Sequence, residues 1–323
     1  MDSFIFAINA VLPIVITVLI GYLLKKIGIM NDTFSKSANK LVFKLFLPSM
    51  LFLNVFKINN FSFSDVGYIF YVVAAVVMIF ILAIPLVIAV TKKNERRGVL
   101  LQCCFRSNFA LIGIPIAQSL FGDEGVVVAT LLSAVAIPLF NILAVISLSI
   151  FSSEKSGFSI KKVLLDIIKN PLIQSIFAGL LALIIKNVFG YIDFTFESTP
   201  IYKVLQYLSS VATPMSLLVL GAQFEFSAIK TLKKEIVFGT AFRVAVVPLM
   251  AIGTALLLGC FDGAHFAAFI AVFATPVAVS SVPMSQEMGG DVSLAGQLVV
   301  WTTIFSSLSV FVYSFVLSLL NVF

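Results

Sequence analysis

The sequence predicts an all-α polytopic membrane protein of ten transmembrane helices, built as two inverted repeats of five. Three observations carry that prediction. Sixty per cent of the chain is apolar and only 11% charged, against roughly 45–50% and about 25% in soluble domains, so it lacks the polar residues to clothe a water-facing surface. Its apolar runs are continuous over about 20 residues and do not alternate as membrane strands do. Helix-breaking residues also recur along the chain at an offset of 166–168 residues.

Charges and turn residues divide the chain into apolar segments near 4–24, 36–56, 66–90, 99–121, 125–151, 164–186, 203–224, 236–259, 264–286 and 293–321. The first follows Asp2 instead of a basic region and has no small-residue cleavage site, so it is expected to stay in the protein. The second carries LFLPSMLFL at 45–53 and the seventh VATPMSLLV at 211–219. The fourth and ninth are the least anchor-like, with Asn, Ser, Gly and Pro where a plain span carries Leu. IGIPIAQSLFGD fills 112–123 in the fourth, and SSVPMSQEMGGD fills 280–291 in the ninth.

Between segments, the odd-numbered turns hold or adjoin fifteen Lys and Arg and the even-numbered ones three. That asymmetry predicts cytoplasmic odd turns and non-cytoplasmic termini in the cell membrane. The +6 net charge is then a topology signal, and no nucleic-acid partner is needed to explain it. Cys103, Cys104 and Cys260 lie in apolar stretches without metal or disulfide spacing and read as small packing residues. No cofactor is expected.

Pro48 and Pro214 are 166 residues apart; Pro115 and Pro283, like the Gly122-Asp123 and Gly290-Asp291 pairs, are 168 apart. A duplicated unit with an odd number of spans inserts in opposite orientations, which is the inverted-repeat plan of secondary transporters. The repeats are expected over 1–151 and 163–323, joined by a cytoplasmic linker at 152–162. Proline removes a backbone donor and crowds the preceding turn, and in a bilayer the freed groups must find partners in protein or cavity water. Interrupted helices at matching repeat positions therefore point to a substrate site near the midplane. Lone prolines such as Pro13 and Pro248 are ordinary in membrane helices.

The run Asn108-Phe-Ala-Leu-Ile-Gly113-Ile-Pro115, followed by Gly122, resembles the fourth-span crossover of the auxin efflux carrier family. LVFKLFLPSMLF at 41–52, ATPVAVSSVP at 274–283 and VVWTTIFSSL at 299–308 resemble it too. The family includes plant PIN exporters and bacterial carriers of malate, malonate and similar anions. The resemblance implies a sodium/proton-antiporter-like fold with broken crossover helices 4 and 9. It also implies scaffold and crossover domains each drawn from both repeats, elevator-type alternating access and a homodimer. By resemblance, Asn108 takes the position of an asparagine that contacts substrate carboxylate. Pro115 matches the crossover proline, and Pro276 and Pro283 match the ninth-span prolines. Lys44 and the short 152–161 turn depart from the family pattern.

An anion at such a site needs donors and positive potential. The expected sources are two half-helix N-termini, the Asn108 amide, and the hydroxyls of Thr275, Ser280 and Ser281, each of which could equally be spent on its own helix backbone. Arg106 has two readings, a carboxylate partner in the membrane or a cytoplasmic-end residue that snorkels or pairs with an acid. Lys44, four residues before Pro48, shares that ambiguity. Arg243, Glu225 and Glu287 read as interfacial, and His265, the only histidine, as a solvated loop residue. The middles of spans four, five, nine and ten hold no Asp or Glu. This argues against a cation/proton antiporter on the same fold and favours anion uniport or weakly coupled transport, with a sodium-coupled organic anion symporter kept as an alternative. Nothing in the sequence matches an intramembrane enzyme.

Overall fold

The computed structural model describes residues 2–57, 66–151, 160–188 and 196–322, and among them every regular element is helical. In chain order the α-helices are α1 (Asp2–Lys26), α2 (Asp32–Leu41), α3 (Leu47–Phe56), α4 (Val66–Val90), α5 (Asn94–Phe105), α6 (Ile114–Ile150), α7 (Ile160–Lys169) and α8 (Pro171–Val188). They continue with α9 (Pro200–Ala222), α10 (Ala228–Thr231), α11 (Lys233–Ala241), α12 (Val247–Leu258), α13 (Gly263–Phe273), α14 (Ser281–Glu287) and α15 (Val292–Leu319).

Three π-turns interrupt the α pattern: Val42–Phe46 between α2 and α3, Phe109–Gly113 before α6, and Phe242–Val246 between α11 and α12. Each ends two residues before a proline, Pro48, Pro115 or Pro248. Proline offers no N–H to the carbonyl four residues back, and its ring crowds that carbonyl, so the turn widens. The freed Val244 carbonyl, four before Pro248, accepts the Ser309 hydroxyl of α15 at 2.5 Å.

Six stretches among the described residues are long and apolar enough to cross a membrane: Asp32–Phe56, Val66–Val90, Asn94–Ile150, Pro200–Ala222, Lys233–Leu258 and Val292–Leu319. Asn94–Ile150 takes in two of the segments expected from sequence. Its bend falls at Phe121–Gly122, where Gly122 has φ 57° and ψ −146°, a conformation open in practice only to glycine. The expected sixth segment is divided at Asn170, whose side-chain carbonyl accepts the Leu172 amide at 2.9 Å. The expected ninth is divided into α13 and α14. The expected linker at 152–162 lies outside the described residues except for 160–162.

The molecule is polar inside and apolar outside. Phe70, Leu249 and Leu257 are more than 60% exposed, while Arg106, Gln102, Arg243, Gln297 and Thr302 are buried. Soluble monomers rarely expose contiguous apolar surface beyond a few hundred Å², and the chain is a multi-pass membrane protein. Within the bundle α1 lies along α9, α8 along α3, and α6 along α13.

Cys103 and Cys104 are buried, but Cys260 is exposed just past α12, so the packing role expected of all three holds only for the pair. Cys260 provides a test of orientation. The charge asymmetry places its turn outside, and a membrane-impermeant maleimide is expected to label it in intact cells. Labelling only after permeabilisation would reverse the topology.

Candidate functional site

Two unwound segments cross in the middle of the bundle. α5 ends at Phe105, and Arg106 (φ −81°, ψ 127°) and Asn108 (φ −83°, ψ 51°) leave helical geometry before the π-turn that starts α6. α13 ends at Phe273 and α14 begins at Ser281. The segments are joined directly: the Asn108 amide donates to the Pro276 carbonyl at 2.8 Å, and the Ser107 and Thr275 hydroxyls meet at 2.6 Å. Gly113 permits the close approach, because a Cβ there would lie 2.6 Å from the Ala271 carbonyl oxygen.

Arg243 ties the crossing from below. It is fully buried and donates to the Thr275 carbonyl at 2.9 Å, the Val272 carbonyl at 2.9 Å and the Phe105 carbonyl at 3.4 Å. Val272 is four residues before Pro276, so its carbonyl has no helical donor. One cation thus covers the negative ends of both half-helices. The interfacial role expected of Arg243 from sequence is wrong: residue counting put it near a span end, but the π-turn directs it into the core.

Arg106 is 2% exposed, which removes the snorkelling reading. Its guanidinium donates to Gln102 Oε1 (2.7 Å), Asn141 Oδ1 (2.9 Å), Ser280 Oγ (2.8 Å) and Met284 Sδ (3.1 Å). All four partners are neutral. Beside it Asn108 Nδ2 is buried without an acceptor. Both side chains line a narrow cleft of about 60 Å³ that also receives Asn54 and Asn141, with apolar walls from Met50, Phe109 and Phe140. No carboxylate is among its lining residues.

The structure brings Arg106, Asn108 and Ser280 together at this cleft and leaves the other expected residues outside it. Lys44 is exposed on the π-turn between α2 and α3, because the widened turn rotates it away from the crossing. Thr275 and Ser281 spend their hydroxyls on the Ala271 and Ala278 carbonyls at 2.7 Å each. Pro276 contributes its carbonyl, and Gly113, Pro115 and Pro283 shape the half-helices without reaching the cleft. α14 has only seven residues, too short for the strong second dipole expected there. His265 is not in a loop: it stands in the first turn of α13, half-buried, with Nδ1 2.6 Å from Asp262 Oδ1. Burial alone would raise the Asp262 carboxyl, but the His265 amide and ring outweigh it and hold it below the ordinary carboxylate range.

Sequence reasoning missed Gln102, Asn54 and Asn141. Their signal was available, since each is an amide inside an apolar run and such residues are costly in a bilayer unless used.

Residues 6–314 match the model of a family described as "Membrane transport protein". An uncharacterized transporter of Methanothermobacter thermautotrophicus is 24% identical over 96% of this chain and 98% of its own length. An uncharacterized transporter of Methanocaldococcus jannaschii is 26% identical, again over 96% and 98%. With nearly its whole length matched, the chain belongs to the membrane transport protein family, that of the auxin efflux carriers, and is a membrane transporter.

Proposed function

We propose that this transporter is a secondary carrier of small organic anions, working by elevator-type alternating access in the cell membrane with both termini outside. The observation that carries the reading is Arg106. A buried guanidinium held only by neutral acceptors is an uncompensated positive charge, and it faces a cleft in which the Asn108 amide lacks an acceptor. A carboxylate supplies both the missing counter-charge and an acceptor for the Asn108 side-chain amide, while a short apolar body rests against Phe109, Phe140 and Met50.

Two further features support the inverted-repeat architecture. Ser107 and Thr275, and likewise Asn108 and Pro276, are separated by the repeat offset of 168 residues and touch each other. Contact between a residue and its own repeat mate is what a two-fold axis passing between them requires. The pairing of α1 with α9 and of α8 with α3 fits the same axis. Ten passages in two halves then divide into a scaffold containing α1–α3 and α7–α9 and a moving crossover domain, and the family resemblance supports a homodimer. An amide cluster spans that division: Asn39 Nδ2 donates to Gln223 and Gln286 at 2.9 Å each, a contact the moving domain must release.

Uptake of labelled mono- and dicarboxylates into proteoliposomes tests the proposal. Asn108→Ala removes one charge-assisted hydrogen bond, about 1.5–3 kcal/mol, and is expected to lower uptake efficiency roughly 10- to 100-fold. Equal flux would remove Asn108 from the site. A pH jump driven by sodium or lithium without carboxylate would instead favour cation/proton exchange.

A further inference from the structure

We propose that the membrane-facing groove along α11 is a binding site for an anionic phospholipid, separate from the anion cleft. Lys233, Val237, Ala241 and Val244 follow one another at helical spacing down one face of α11 and its π-turn, and Trp301 and Phe305 of α15 form the opposite wall. The residues at 237, 241 and 244 leave a largely apolar channel of about 430 Å³, with Thr240 beside it and its hydroxyl oxygen buried. Its mouth is cationic. Lys233 and Val237 are shared with a second depression that adds Lys230, Lys234 and Phe238, so three lysines stand where the apolar groove begins.

These charges are free to recruit a ligand. Lys230, Lys233 and Lys234 are exposed, and none has a recorded ion pair among the described residues. The acid beside them, Glu235, is buried and turned inward to Arg96 at 3.0 Å. α11 also starts without a side-chain cap, so its first amides add positive potential at the same mouth. A basic cluster at a membrane surface attracts anionic headgroups, but lysines alone would hold them loosely. Here the cluster opens onto a largely apolar groove walled by Val237, Ala241, Val244, Trp301 and Phe305, a surface that suits an acyl chain. Phosphate at the lysines and chain against Trp301 is the occupant that uses both halves.

Trp301 is the chain's only tryptophan; it lines this groove and also an apolar pocket beside α1 and α9, so substitutions in the groove are needed to assign its quenching. The full-length protein is reconstituted in phosphatidylcholine vesicles containing either dibrominated phosphatidylglycerol or dibrominated phosphatidylcholine at the same mole fraction. Brominated phosphatidylglycerol is expected to quench Trp301 at several-fold lower mole fraction. In K230Q/K233Q/K234Q that preference is expected to disappear, the two lipids then quenching at the same mole fraction, because the lysines supply the attraction to the anionic headgroup. Ala241→Phe, which fills the groove, is expected to weaken quenching by the anionic lipid while leaving carboxylate uptake unchanged. Equal quenching by the two lipids in the native protein overturns the proposal, as does a preference that survives the triple substitution.

Discussion

Arg106→Gln is expected to abolish carboxylate uptake in proteoliposomes while leaving the empty protein as stable as the native chain or more so. The two effects separate because Arg106 has no counter-charge among the described residues. Truncating one member of a buried charge pair costs about 2–5 kcal/mol, so loss of the guanidinium lowers carboxylate affinity roughly 30- to several thousand-fold. In the empty protein the same change removes a desolvated charge, which costs several kcal/mol to bury. What is lost in exchange is a set of charge-assisted hydrogen bonds to Gln102, Asn141 and Ser280, of comparable total size, part of which the Gln side chain can remake. Thermal unfolding in detergent is expected to give a Tm no more than about 3 °C below the native value. Arg106→Lys keeps the charge without the planar fork and is expected to retain partial uptake. A Tm that collapses in Arg106→Gln would mean that the residue is a structural tie.

Arg243→Met is expected to have the opposite profile, a large loss of stability from a residue that never meets substrate. Its three acceptors, the Phe105, Val272 and Thr275 carbonyls, are left in the core without donors. Each stranded polar group costs about 1–3 kcal/mol, so three come to on the order of 3–9 kcal/mol, partly offset by removal of a desolvated charge, which still leaves a large effect for a single substitution. Circular dichroism melts should show a drop in Tm of about 10 °C or more, with Arg243→Lys recovering only part of it. A drop of a degree or two would show that other donors cover those carbonyls.

How far the sequence reveals the molecule depends on the range of the signal. Spans were legible because burial in lipid demands runs of apolar residues, and Gly122 or Pro276 marks a break wherever it falls. The crossover was legible in the matched prolines and in Asn108. Direction was not. Lys44 and Arg243 both sit in π-turns before a proline, yet one faces out and the other is buried, because a π-turn adds a residue and resets which face follows. Counting at 3.6 residues per turn cannot anticipate that. The partners of Arg106 were hidden for a related reason. Asn141 and Ser280 reach it from segments 35 and 174 residues away, and only the packing of α6 against α13 brings them together.

The claim that a neutral-lined guanidinium at the crossing holds the transported anion is tested most directly by ligand-induced stabilisation. Purified native protein and Arg106→Gln are melted against increasing concentrations of mono- and dicarboxylates, because a ligand that binds only the folded state raises Tm with occupancy. At least one carboxylate is expected to raise the native Tm saturably, and none that of Arg106→Gln. A saturable shift of the same size in both proteins would contradict the account.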